Sequence, residues 1–159
     1  MMAMLQVLEN TEFAAWVRES AYGYGIFLTM HALGLALLAG ILIVIDIRVL
    51  GFGRGLPMAP LKNLLTLVWV GFWSNAISGS ILFTSDAVKF YYSTNFRVKM
   101  LSIVIGLVLT MMIKSSVLSA AMSTSGDAIA PPRAKLLASL SLVCWLTAIA
   151  SGRLMAYIS

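Results

Sequence analysis

Charged residues divide the chain into four long apolar stretches. No residue between Glu19 and Asp46 carries a full charge at neutral pH, and none does between Lys62 and Asp86. Only the fourteen uncharged positions 100–113 separate Lys99 from Lys114, and a last run extends from Lys135 to Arg153. A helix needs about 20 residues to cross a hydrocarbon core about 30 Å thick. The spacing therefore predicts four transmembrane helices, at about 24–48, 62–85, 96–118 and 135–157. In the third, both flanking lysines must snorkel or face a polar interior. Upstream, within residues 1–20, Leu5, Leu8, Glu12 and Ala15/Trp16 recur at helical spacing with charges scattered among them. That predicts a short amphipathic helix lying at the membrane interface with Trp16 as anchor. Glu9 and Glu12 precede any basic group, the reverse of a secretory signal, so no cleavage is expected.

Each span carries a face of small or polar residues, the kind that lets helices approach closely in lipid. Ala32, Ala36 and Gly40 recur every four residues in the first. In the second, Gly71, Asn75 and Gly79 do the same, with Ser74 and Ser78 beside them; an asparagine at that depth needs a partner, so this face must look inward. Lys99, Ser102, Gly106, Thr110 and Lys114 form a stripe on the third, and Ser141, Cys144, Ala148 and Ser151/Gly152 on the fourth. Trp69, Trp73 and Trp145 read as bundle filler. Between the first two spans, GFGRGLPMAP has too many glycines and prolines to continue a helix; SAAMSTSGDAIAPPR reads as the loop before the fourth. The expected fold is all-α: an integral membrane four-helix bundle, residues 21–159, preceded by the interfacial helix.

Composition agrees. Hydrophobic residues make up 60% of the 159 and charged ones 11%, against roughly 25% charged in a soluble domain, and the mean hydropathy is +0.95. The net charge of +5 does not point to nucleic acid, because the basic residues cap apolar runs and form no stripe. The bilayer is the expected partner. A single cysteine, Cys144, excludes an internal disulfide. With four spans both termini share one side. Six basic residues (Arg48, Arg54, Lys62, Lys114, Arg133, Lys135) fall on the other side, against five (Arg18, Lys89, Arg97, Lys99, Arg153) with the termini. Acidic residues cluster near the termini, so both termini are expected to be periplasmic.

His31, the only histidine, lies inside the first span, about 100° around the helix from Ala32. An ionisable group at that depth is neutral, ligating or hydrogen-bonded. Antiparallel spans bring His31, Asp86, Arg97, Lys99, Arg153 and Met155 into one leaflet. A neutral imidazole ringed by Arg and Lys is what a b-type haem site requires, with Lys99 and Arg153 facing propionates or quinone oxygens. The second ligand would then be Met155, Met100 or Met30, or His31 of another copy. Copper held by His31 and methionine sulfurs is an alternative. So is a purely structural histidine bonded to Asn75, a serine or a carbonyl, with no cofactor. Asp46 and Arg48 read as a helix-end pair that sets insertion depth. No Walker or dinucleotide loop, HExxH, cysteine pair or Ser/His/Asp set is present.

The order Ser20-x-Tyr22-x-Tyr24, His31-x2-Gly34, Gly40, Asp46-x-Arg48-x2-Gly51 and Phe96-x2-Lys99 resembles an uncharacterised group of short bacterial four-helix inner-membrane proteins, over roughly residues 12–110. More distantly the arrangement resembles CopD-like and cytochrome b561-like bundles, although a bis-histidine haem needs two histidines and this chain has one. The resemblance implies a bacterial inner-membrane location. The expected role is a small haem-binding or redox subunit with His31 as ligand, a possible quinone partner, and homo-oligomers formed through Ala32/Ala36/Gly40. The alternatives are a non-catalytic accessory or scaffold subunit, or copper or proton handling.

Overall fold

A computed structural model of the chain describes residues 2–52, 58–113, 115, 131–155 and 157, with side chains of 58–63 outside that description. Of the expected turn at 51–60, residues 53–57 lie outside the described residues, and helix already resumes at Met58; of the expected loop at 119–133, residues 119–130 lie outside them, as do the side chains of Lys62 and Lys114. Seven helices are described: α1 (Met2–Glu9), α2 (Glu12–Glu19), α3 (Gly23–Leu50), α4 (Met58–Ser85), α5 (Ala87–Tyr92), α6 (Thr94–Ile113) and α7 (Pro132–Leu154). Four of them, α3, α4, α6 and α7, are long and apolar enough to cross a membrane. The protein is an all-α, multi-pass membrane bundle.

Local chemistry sets the ends. Gly51 follows α3 at φ 102°, a left-handed conformation that glycine adopts without strain, and its N–H reaches back to the Arg48 carbonyl while Phe52 N–H reaches Ile47 O. These bonds satisfy carbonyls that the last turn leaves open. Pro131 and Pro132 start α7, where a missing N–H costs nothing. At the N-terminus the single expected amphipathic helix is two, because the Thr11 hydroxyl accepts from Ala14 N–H at 3.2 Å and caps a new start.

The two short N-terminal helices sit over the junction between α4 and α5. Arg18 donates to the carbonyl of Ser85, the last residue of α4, at 3.1 Å, and Val88 N–H in the first turn of α5 donates to Glu9 Oε2 at 3.2 Å. A cation at a helix C-terminus and a carboxylate at an N-terminus both complement the helix dipole.

The main contacts among the spans run α4–α3–α7–α6, with antiparallel neighbours. The tightest approach is between α3 and α4, where Gly34 and Gly71 meet backbone to backbone. A Cβ at 34 would lie 2.7 Å from Asn75 N, and one at 71 would lie 2.7 Å from Leu38 N. Gly106 of α6 lies under the Trp145 indole of α7 in the same way, with a Cβ there 3.1 Å from the ring. Trp145 is fully buried and fills the bundle, whereas Trp69 and Trp73 are 46% and 59% exposed and are not filler. They stand on the outside of α4, each edge-on to Phe72. Indoles can face hydrocarbon, so apolarity does not mark the interior of a membrane bundle.

Candidate functional site

The polar centre lies where side chains from α3, α4 and α6 converge against the backbone of α7 at Gly152. His31 of α3 turns its ring onto α4 at Gly79, where a Cβ would come within 2.9 Å of the imidazole. Its Nδ1 lies 3.1 Å from the Asn75 carbonyl and 3.3 Å from Ser78 Oγ. A carbonyl only accepts, so Nδ1 carries the ring proton. The Ser78 hydroxyl spends its own proton on the Ser74 carbonyl at 2.6 Å. Asn75 also donates its side-chain N–H back to the His31 carbonyl at 2.9 Å. One residue thus clamps the histidine from both ends, and α3 is pinned to α4 at the level of the ring.

The other ring nitrogen, Nε2, is bare and accepts from Lys99 Nζ at 3.1 Å. Lys99 reaches it from α6 along Gly152 of α7, whose Cβ would lie 3.6 Å from both Nζ and Cδ of the lysine. Glycine at 79 makes room for the ring, and glycine at 152 lies open beside the lysine stem. Both side chains are partly buried. Among the described residues no carboxylate forms an ion pair with Lys99; the pair found is Arg18–Glu19 at 3.8 Å, near the surface. The site therefore sets the amino group of Lys99 against a bare imidazole nitrogen, two bases that can hold one shared proton between Nζ and Nε2.

The structure brings together His31, Asn75, Gly79 and Lys99 of the residues singled out in the sequence. Gly71 lies one turn below, in the close approach to α3. Arg153 does not join them: it is exposed, while its neighbour Gly152 faces the lysine. Met155 is half-buried beyond the end of α7 and makes contacts of its own. Met100 lies on the exposed face next to Lys99, and Met30 lends its carbonyl to Ser74 at 3.4 Å. Arg97 donates from Nε to the Tyr91 carbonyl at 3.3 Å with its guanidinium over the Tyr91 ring. Ala32, Ala36 and Gly40 are exposed, with no atom within 4 Å of a Cβ at 40. Within the chain the close-packing face of α3 is instead that of Gly34 and Leu38. Among the described residues no three of His, Cys, Asp and Glu gather in one place.

Fold and centre together define a class: a small multi-pass four-helix membrane protein with a hydrogen-bonded histidine in its core. Residues 8–158 match the model of the Family of unknown function (DUF6644), and the chain belongs to that family. No curated protein and no solved structure matches it.

Proposed function

We propose that this protein is a proton-handling subunit of the bacterial inner membrane, with both termini periplasmic, in which His31 and Lys99 take up and pass on one proton within the bilayer. The observation that carries this reading is the 3.1 Å contact between Lys99 Nζ and the bare His31 Nε2. A clamp that only fixed helix register would be complete with the Asn75 and Ser78 bonds. An added ammonium at membrane depth is costly, by roughly 2.5–3.5 kcal/mol on insertion scales, and such groups mark proton relays and ligand paths. Transfer of a proton from Nζ to Nε2 converts ammonium and imidazole to amine and imidazolium, with Nδ1–H still held by the Asn75 carbonyl. The freed amine can then accept the next proton.

In proteoliposomes with an imposed pH gradient, proton flux is expected above that of empty vesicles and is lost in His31→Ala and Lys99→Met. Wild-type flux equal to that of empty vesicles overturns the reading. The redox alternative makes His31 a haem or copper ligand, with Lys99, Arg153 and Met155 around it. It requires the metal to take Nε2 from Lys99, because Nδ1 faces a carbonyl. An absorbance spectrum of the purified protein, oxidised and dithionite-reduced, separates the two: a Soret band lost in His31→Ala supports haem. The exposed Ala32/Ala36/Gly40 face is where a second copy or another subunit would dock.

A further inference from the structure

A second buried polar cluster occupies the opposite half of the bundle. Asp46 lies fifteen residues beyond His31 on α3, about 22 Å along the axis at about 1.5 Å per residue. It is 2% exposed and faces Ser141 of α7. Cys144 and Trp145 follow Ser141 on the same face of α7. Trp145 turns its indole to Gly106 of α6. Asp46 was expected to set insertion depth in a pair with Arg48; instead its side chain points into the bundle, and Arg48, two residues on, has contacts of its own. Among the described residues no Lys or Arg lies within ion-pairing distance of the carboxyl.

Three atoms here are buried without a hydrogen-bond partner: Asp46 Oδ2, Ser141 Oγ and Trp145 Nε1. Ser141 and Trp145 are both 0% exposed. Native proteins rarely leave such groups open; Ser141 and Trp145 stand one turn apart on α7 and Asp46 of α3 faces Ser141, so a single partner can serve all three. The donor and acceptor inventory narrows what that partner is. An indole N–H only donates, a carboxylate oxygen only accepts, and a hydroxyl does both. A bare cation cannot accept from the indole, and an anion is repelled by the carboxylate. Water does both, and three polar partners are the usual number for a buried water.

We propose that Asp46, Ser141 and Trp145 hold one water molecule and form with it a second proton-exchange station. The water stands independently, whereas its role as a station rests on the proton-handling reading of His31 and Lys99. In the step, a hydronium proton moves to Asp46 Oδ2, leaving a carboxylic acid and water; the reverse releases it.

The test uses the full chain in lipid nanodiscs, labelled with ¹⁵N-tryptophan, with the Trp145 indole signal assigned by its loss in Trp145→Phe. A magnetisation-exchange cross-peak between that N–H and water is expected, and its absence overturns the water site. Proton flux is then measured for Asp46→Asn, which is close to isosteric, and for Ser141→Ala, which keeps the carboxyl. Loss of flux in Asp46→Asn and a reduced rate in Ser141→Ala support the station. Unchanged flux in both, where the wild type conducts and His31→Ala does not, overturns the station alone. If the wild type itself carries no flux, the proton-handling reading fails and the station with it, while the cross-peak still decides the water.

Discussion

Replacing Gly34 by alanine is the sharpest perturbation of the α3–α4 contact that positions the centre. The added Cβ would meet Asn75 N at 2.7 Å, Gly71 O at 3.0 Å and Asn75 Cα at 3.1 Å. All three are backbone atoms, so no flexible side chain can move aside. Ordinary contact begins at 3.4 Å, and the difference from 2.7 Å requires α4 to recede by about 0.7 Å. The same turns carry the Asn75 bonds to His31, at 3.1 and 2.9 Å. Lengthened by about 0.7 Å, both pass the distance at which a contact still counts as a hydrogen bond. Overpacking of this kind costs roughly 1–3 kcal/mol, and each lost hydrogen bond in a membrane protein about 0.6 kcal/mol. The better helix propensity of alanine returns about 1 kcal/mol. A net loss of about 1–3 kcal/mol is therefore expected, read as a lower midpoint of thermal unfolding in detergent. Wild-type or higher stability, the result that propensity alone would give, refutes the close approach of Gly34 to α4.

Two comparisons follow the same logic. Gly40→Ala meets nothing within 4 Å, so in a monomeric preparation it is expected to raise stability by up to about 1 kcal/mol through propensity. Gly106→Ala meets only the Trp145 ring, at 3.1–3.4 Å. A ring can shift by a few tenths of an ångström, so the loss of stability is expected to be smaller than for Gly34→Ala, with a change in Trp145 fluorescence. Arg18→Ala removes the cap on the Ser85 carbonyl, worth about 0.3–1 kcal/mol. Its effect is expected as faster hydrogen exchange in α1 and α2, with little change in unfolding of the four long helices.

The spans were legible because charge is what a membrane refuses, and the gaps between Glu19, Asp46, Lys62 and Asp86 mark helices within a few residues of those seen. The inward turn of Asn75 was legible for the same reason: an amide in lipid must find a partner. Leaflet arithmetic put Lys99 and His31 at one depth but could not give their contact, which depends on how α3 and α6 are rotated about their axes. Rotation was also what the small residues failed to fix. Gly34 and the Ala32/Ala36/Gly40 row occupy different faces of α3, and only the complementary Gly71 decides which face meets α4. Asp46 looked like a helix-end charge because it stands beside Arg48. That it turns inward onto Ser141 depends on the register of α7, which no spacing within α3 encodes. The exposed Trp69 and Trp73 show the limit of reading aromatics as core in a chain whose solvent is itself apolar.

The Lys99–His31 pair is most directly tested through its ring nitrogens. The chain holds one histidine, so ¹⁵N-histidine labelling reports on His31 alone. At neutral pH in lipid, solid-state NMR is expected to show a protonated Nδ1 and an unprotonated Nε2 shifted by an accepted hydrogen bond, and Lys99→Met is expected to move the Nε2 signal and leave Nδ1 in place. A proton on Nε2 with Nδ1 bare, or an Nε2 signal indifferent to Lys99→Met, contradicts the shared-proton site.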